Sequence, residues 1–310
     1  INMVATILLS EEYAVEDLGE LLSWWQCVEA RAFHPSAITL DAQSRVVSQD
    51  KLYKLLMCHD ALDELPAAVT LLDSLTTHLH DSHRMQLAEL MEEDTLAAVV
   101  RLSIKASSSA SLRPSCWCYM WGDGEESEGN MRSKRITERE FLVLETLDGC
   151  IPMASPQDWV RAILRRLEAA LATAAGDAAA ANPIATLLVQ AVQWATLFTR
   201  QVSMSAEHPP RFLAFGACTL GLASSSLILP EEVRPSSASD EVWQSSLLGR
   251  MPAPAQEVFT ISEAEPHVGR IELALLADAA CCDVEDFKMY VFDVVTTFQA
   301  TLLWQGSSQA

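Results

Sequence analysis

Apolar residues recur at steps of three and four along nearly the whole chain, and this period confines the fold more than any other feature. It is the repeat of a helix with one buried face, whereas strands would alternate every second residue. Over residues 11–31, Leu18, Leu21, Leu22, Trp25 and Val28 predict a leading helix that stops before Pro35. Residues 51–58 form a short apolar helix. Residues 63–80 follow, with Pro66 in the first turn, where a missing N–H costs little, and a stripe of Val69, Leu72, Leu75 and Leu79. A longer helix is expected over 86–107 and a compact one over 137–147. Ser155-Pro156-Gln157-Asp158 is a strong helix start, with Ser as N-cap, Pro at the first helical position and an acid in the first turn.

Beyond an alanine-rich break at 172–181, Leu188, Ala191, Ala195, Phe198 and Val202 mark another helical stripe. Pro209-Pro210 open a helix containing Gly216 and Gly221. Glycine inside a helix costs up to about 1 kcal/mol relative to Ala, so both predict close approach of a neighbouring helix. Order returns at 271–280, and a last helix capped by Asp283 carries Phe287, Val291, Val294 and Phe298. Residues 108–132 read as a loop. Residues 224–266, rich in Ser, Pro and Glu, read as a partly disordered insertion.

Composition narrows function. With 42 acidic and 21 basic residues the formal charge is -21, a field that repels phosphate backbones and disfavours nucleic acid as a partner. No apolar run reaches the roughly 18 residues of a membrane span. Residues 1–10 are apolar but lack a basic leader, so no signal peptide is expected there. The eight cysteines follow no disulfide-scaffold spacing; Cys27, Cys58 and Cys218 fall in helical apolar patterns, which suggests reduced core residues and an intracellular protein. His78, His80 and His83 are poorly phased for one metal sphere, and Cys116 and Cys118 lack a second pair. There is no glycine-rich phosphate loop and no nucleophile or zinc-protease motif. No catalytic, cofactor-binding or metal-binding residue is expected, and no enzyme activity.

Several segments, taken in order, resemble the cyclin family. Arg139-Glu140-Phe141-Leu142-Val143-Leu144-Glu145-Thr146-Leu147, then Ile151 and Ser155-Pro156-Gln157-Asp158-Trp159, is similar to the junction between the two boxes of a cyclin. Ala68-Val69-Thr70-Leu71-Leu72-Asp73 resembles the family's A-V-x-Y-(I/L)-D helix, and residues 99–105 its A-x-x-(I/L)-A-S-K helix end. Tyr13, Glu16-Asp17-Leu18 and Glu29-Ala30-Arg31 resemble the leading helix of A- and B-type cyclins. In the second half, Pro210-Arg211-Phe212-Leu213-Ala214 and Asp283-Val284-Glu285-Asp286-Phe287 are similar to helix openings of the second box.

The resemblance implies an all-α fold of two tandem five-helix boxes with an N-terminal helix. Residues 1–40 would be the leading helix and lead-in, 41–154 the first box, and 155–305 a second box with the insertion at 224–266. It implies a regulatory subunit, in the nucleus or cytoplasm, that forms a heterodimer with a cyclin-dependent protein kinase and activates it by positioning its C-helix and activation segment. The alternative is a degenerate box protein that acts as a scaffold without activation. The family's kinase-binding Lys and Glu correspond here to Lys105 and Glu140; Leu18, Leu21, Phe141 and Ile151 extend that face, with Leu144 more simply a core residue. Each charge also has a plain structural reading. Lys105 lies near a helix C-terminus, where a cation is favoured, and Glu140, three residues after Thr137, could close a capping box. The family's M-R-A-I-L…W helix is altered to Ser44-Arg45-Val46-Val47-Ser48 with Lys51, and Gly149 replaces a large apolar residue near the junction.

Overall fold

The computed structural model describes residues 15–32, 42–58, 61–82, 85–107, 126–151, 154–175, 190–198, 208–225, 227–251 and 271–307. Every regular element among them is helical, as the period of the sequence predicts. The chain divides into two compact units: residues 24–155 with the first thirteen residues, and residues 14–23 with 156–310. Helix α1, Val15–Ala32, contributes residues to both.

In the first unit follow α2 (Ala42–Cys58), α3 (Leu65–Ser82), the single turn α4 (Leu87–Leu90), α5 (Glu93–Ser107) and α6 (Glu126–Thr146). Helix α5 packs against α2, α3 and α6. Its residues 95–100 are buried without interruption, Leu96, Ala97, Ala98, Val99 and Val100 among them. A helix that is apolar all round belongs inside a bundle, so the run Leu-Ala-Ala-Val-Val makes α5 the axis of this unit. Leu52 and Leu56 from α2, Val69, Leu72 and Leu75 from α3, and Ile136, Val143 and Leu147 from α6 close around it.

The second unit repeats this logic. Its helices are α7 (Pro156–Ala175), α8 (residues 190–198), α9 (Pro210–Ser224), α10 (Asp240–Ser245), α11 (Leu273–Ala279) and α12 (Val284–Ser307). Helix α9 packs against α7 and α12 and is buried from Leu213 to Ala223 without a break. The two glycines behave as expected. A Cβ on Gly216 would lie 2.7 Å from Val294 Cγ1 of α12, and one on Gly221 would meet the Ala191 backbone of α8 at 3.5 Å. Aromatic rings fill the remaining space, with Phe198 edge-on to Phe298 at 5.1 Å and Phe215 against Phe287 at 4.9 Å.

Four expectations change. The short helix expected over 51–58 begins at Ala42 and runs to Cys58, its first half anchored by Arg45, which pairs with Asp73. The helix expected over 86–107 is two, broken at Met91 and Glu92: the Met91 carbonyl accepts a bond from Lys51 Nζ at 3.3 Å, and Glu93 and Asp94 begin a new acidic first turn. Helix α6 starts at Glu126 and not at Thr137, so 126–132 is helix rather than loop. It is held by Arg132, Arg135 and Arg139, which form ion pairs with Glu89, Glu92, Glu93 and Asp94. Within the expected insertion, residues 227–251 are folded. Trp243 is buried, stacks on Phe292 at 6.0 Å between ring centroids, and donates its indole N–H to Glu231 at 3.0 Å. One wide ring with its polar edge satisfied anchors a segment otherwise rich in turn residues. Residues 252–270 lie outside the described residues.

Helix α6 ends in a Schellman motif. Gly149 N–H bonds the Leu144 carbonyl at 2.8 Å, Asp148 N–H bonds that of Glu145, and both residues are left-handed, with φ of 49° at Asp148 and 74° at Gly149. A side chain at Gly149 would therefore be strained, which gives the glycine a backbone reason.

Candidate functional site

The C-terminal half of α5 and the middle of α6 bring three ionised groups together. Lys105 Nζ donates to both carboxylate oxygens of Glu140, at 2.8 and 3.0 Å. Arg101, one turn before Lys105 on α5, places its Nε 3.1 Å from the same Oε1. Arg101 also donates through Nη1 to Thr137 Oγ1 at 3.2 Å. The Glu140 side chain is 8% exposed, Arg101 22% and Lys105 44%. A carboxylate this deep would be unfavourable alone, and the pairing offsets its desolvation.

The two residues singled out by motif are thus in direct contact. The capping-box reading of Glu140 does not survive, because Thr137 sits inside α6 and bonds back to the Ser133 carbonyl at 2.9 Å. The helix-terminus reading of Lys105 holds alongside the ion pair, since Lys105 lies in the last turn of α5. Arg101 was not singled out. Its signal was its spacing, four residues before Lys105 and so on the same face of the helix.

The neighbouring apolar positions separate. Phe141 is 64% exposed, one residue beyond Glu140. Leu144 is half-buried against the core. Ile151, also packed against the core, borders a shallow groove of about 220 Å³ with Trp24, Cys27, Val28, Arg31 and Cys150. The four α1 residues follow the i, i+3, i+4, i+7 rule, so a single helix face makes one wall. Leu18 and Leu21 are buried, whereas Trp24 on the same helix is exposed, and Cys27, expected in the core, is exposed beside it because it lies on the Trp24 face.

On α2, Arg45 and Ser48 are buried, whereas Val46 and Val47 are exposed. Ser48 Oγ bonds Met91 Sδ at 3.0 Å, and Lys51 reaches the Met91 carbonyl. Arg45 is buried and paired with Asp73 of α3. His78 Nδ1 lies 2.8 Å from the Ser74 carbonyl within its own helix, and no group of three potential metal ligands converges among the described residues. The His80 side chain, His83, Cys116 and Cys118 lie outside them. No helix of the described residues is long and apolar enough to cross a membrane. No family model, curated protein or solved structure matches the chain.

Proposed function

We propose that this chain is a cyclin-like regulatory subunit that binds and activates a cyclin-dependent protein kinase, with no catalytic residue of its own. The observation that carries the reading is the contact between Lys105 and Glu140, two motif positions 35 residues apart that meet at 2.8 Å. A second pair of motif positions, Arg45 and Asp73, also meets. Such agreement between independent stretches is what a box architecture requires of the first unit; by the same resemblance, the second unit would be the second box and the protein nuclear or cytoplasmic. In this reading the exposed Lys105 ammonium and the Phe141 ring face the kinase, and binding biases the kinase's mobile helix toward the position where its Lys–Glu ion pair forms.

A scaffold without activation is the second reading. It is favoured by the use of Ser48 and Lys51 for internal bonds to Met91, which commits two of the motif's substrate-docking positions to the first unit's own packing. The deciding experiment is capture of cyclin-dependent kinases from a cell extract by the wild type and by Lys105→Ala/Phe141→Ala, followed by a phosphorylation assay. Capture that the double variant loses, together with stimulated phosphorylation, supports the first reading. Capture without stimulation selects the scaffold, and no kinase recovered by the wild type removes both.

A further inference from the structure

We infer that Arg101 is a positioning residue that releases Lys105 for a partner: it holds the charge of Glu140, so that the lysine is free to exchange the carboxylate for an acceptor group on the bound protein. The inference deepens the kinase-binding reading and, for its biological meaning, rests on it.

The argument is one of charge and reach. Glu140 carries one negative charge and two cations contact it, so its charge is met from two sides. The cations are not equivalent. Arg101 is the deeper, and its planar guanidinium is fixed at two points, Glu140 Oε1 and Thr137 Oγ1. Lys105 is twice as exposed, at 44% against 22%. Its ammonium has three donors and spends two on Glu140, leaving one directed elsewhere. A main-chain carbonyl or carboxylate of a partner can take that third donor, or draw the flexible lysine away entirely. Glu140 then keeps Arg101 and is not stranded as an unpaired buried charge. Without Arg101, Lys105 would be the sole counter-charge, and its departure would strand the carboxylate.

Lysine acylation tests this on the isolated full chain, without any kinase. Acetic acid N-hydroxysuccinimide ester is the probe, and peptide mass spectrometry compares Lys105 with exposed Lys134 as the internal standard. In Arg101→Gln the Lys105 to Lys134 ratio should fall about three-fold or more, because the remaining cation is held on the carboxylate; Arg101→Lys should restore it. An unchanged or raised ratio in a folded Arg101→Gln protein overturns the inference. Should that variant lose its helical circular dichroism, Thr137→Val is the second test: it releases the outer anchor of Arg101, a fall in the ratio supports the inference, and no change overturns it. Failure of the wild type to capture a kinase, with the ratio still falling, would remove the kinase reading and leave this one standing.

Discussion

Arg45 and Asp73 close a two-point bond in the interior of the first unit, Nε to Oδ1 at 2.9 Å and Nη2 to Oδ2 at 2.6 Å. Their side chains are 2% and 7% exposed. Breaking such a pair on one side takes from a buried charge its two-point counter-charge, which costs about 3–5 kcal/mol, whereas apolar replacement of both is far less damaging. Asp73→Ala should therefore lower the stability of the first unit by that amount in urea unfolding followed by tryptophan fluorescence. Arg45→Met/Asp73→Leu should lose less than Asp73→Ala alone. A double variant as unstable as the sum of its single changes would contradict the pairing.

Gly216 supplies a steric prediction in the other unit. A methyl group placed there would sit 2.7 Å from Val294 Cγ1, inside any real contact distance, while helix propensity alone favours Ala. Overpacking of this kind costs about 1–3 kcal/mol, more than the roughly 1 kcal/mol that propensity returns. Gly216→Ala should lower Tm, and adding Val294→Ala should recover part of the loss. A higher Tm for the single variant would mean that α9 and α12 do not approach this closely.

The residues that pack the core and those that form the candidate site differ in how plainly the sequence announces them. Gly216 and Gly221 are conspicuous, because glycine in the middle of an apolar helix has few uses other than close packing. Lys105 and Glu140 stand out through the order of the motifs around them. Arg101 does not, since an arginine on a helix is most often a solvated charge, and only its partner's burial reveals its role. The start of α6 is hidden for a related reason: Glu126-Ser127-Glu128-Gly129-Asn130 has no apolar stripe, and the arginines that follow are held by ion pairs whose acids lie more than thirty residues earlier. The folded part of 224–266 is hidden because its packing rests on Trp243 and a few spaced residues such as Val233 and Leu248, too short a run to show a period.

Glu89 gives stability a pH dependence. The Gln86 main-chain N–H, 2.8 Å away, and then the Arg139 guanidinium hold its carboxyl below the ordinary carboxylate range. A depressed value in the folded chain adds stability at pH above the unfolded value, and that contribution disappears as pH falls through the folded one. Glu89→Gln should thus be less stable than the wild type at neutral pH, by roughly 1 kcal/mol or less, the size of a helix cap. The gap should close as pH falls from neutral through and below the ordinary carboxylate range. Chemical denaturation of both proteins across that range is the measurement, and a gap that stays constant would show that the ionised form of Glu89 contributes nothing.

Phe141 allows the proposed binding to be tested apart from folding. Its ring is 64% exposed on α6, next to Glu140, while the residues that hold the helix down are Ile136, Val143 and Leu147 on the other face. Truncating an exposed side chain changes stability by no more than about 0.5 kcal/mol. Truncating an aromatic anchor at the centre of an interface costs 2 kcal/mol or more, roughly thirty-fold in affinity. Phe141→Ala should therefore match the wild type in thermal unfolding and bind the kinase identified by capture about thirty-fold more weakly in a titration. Unchanged affinity would place the partner surface elsewhere on the first unit, while a lowered Tm would make the ring a packing residue after all. Val143→Ala is the contrasting control on the same helix: the removed methyl groups leave a cavity in the core, so it should lose stability, by about 1–3 kcal/mol, and at temperatures where it stays folded it should keep its affinity.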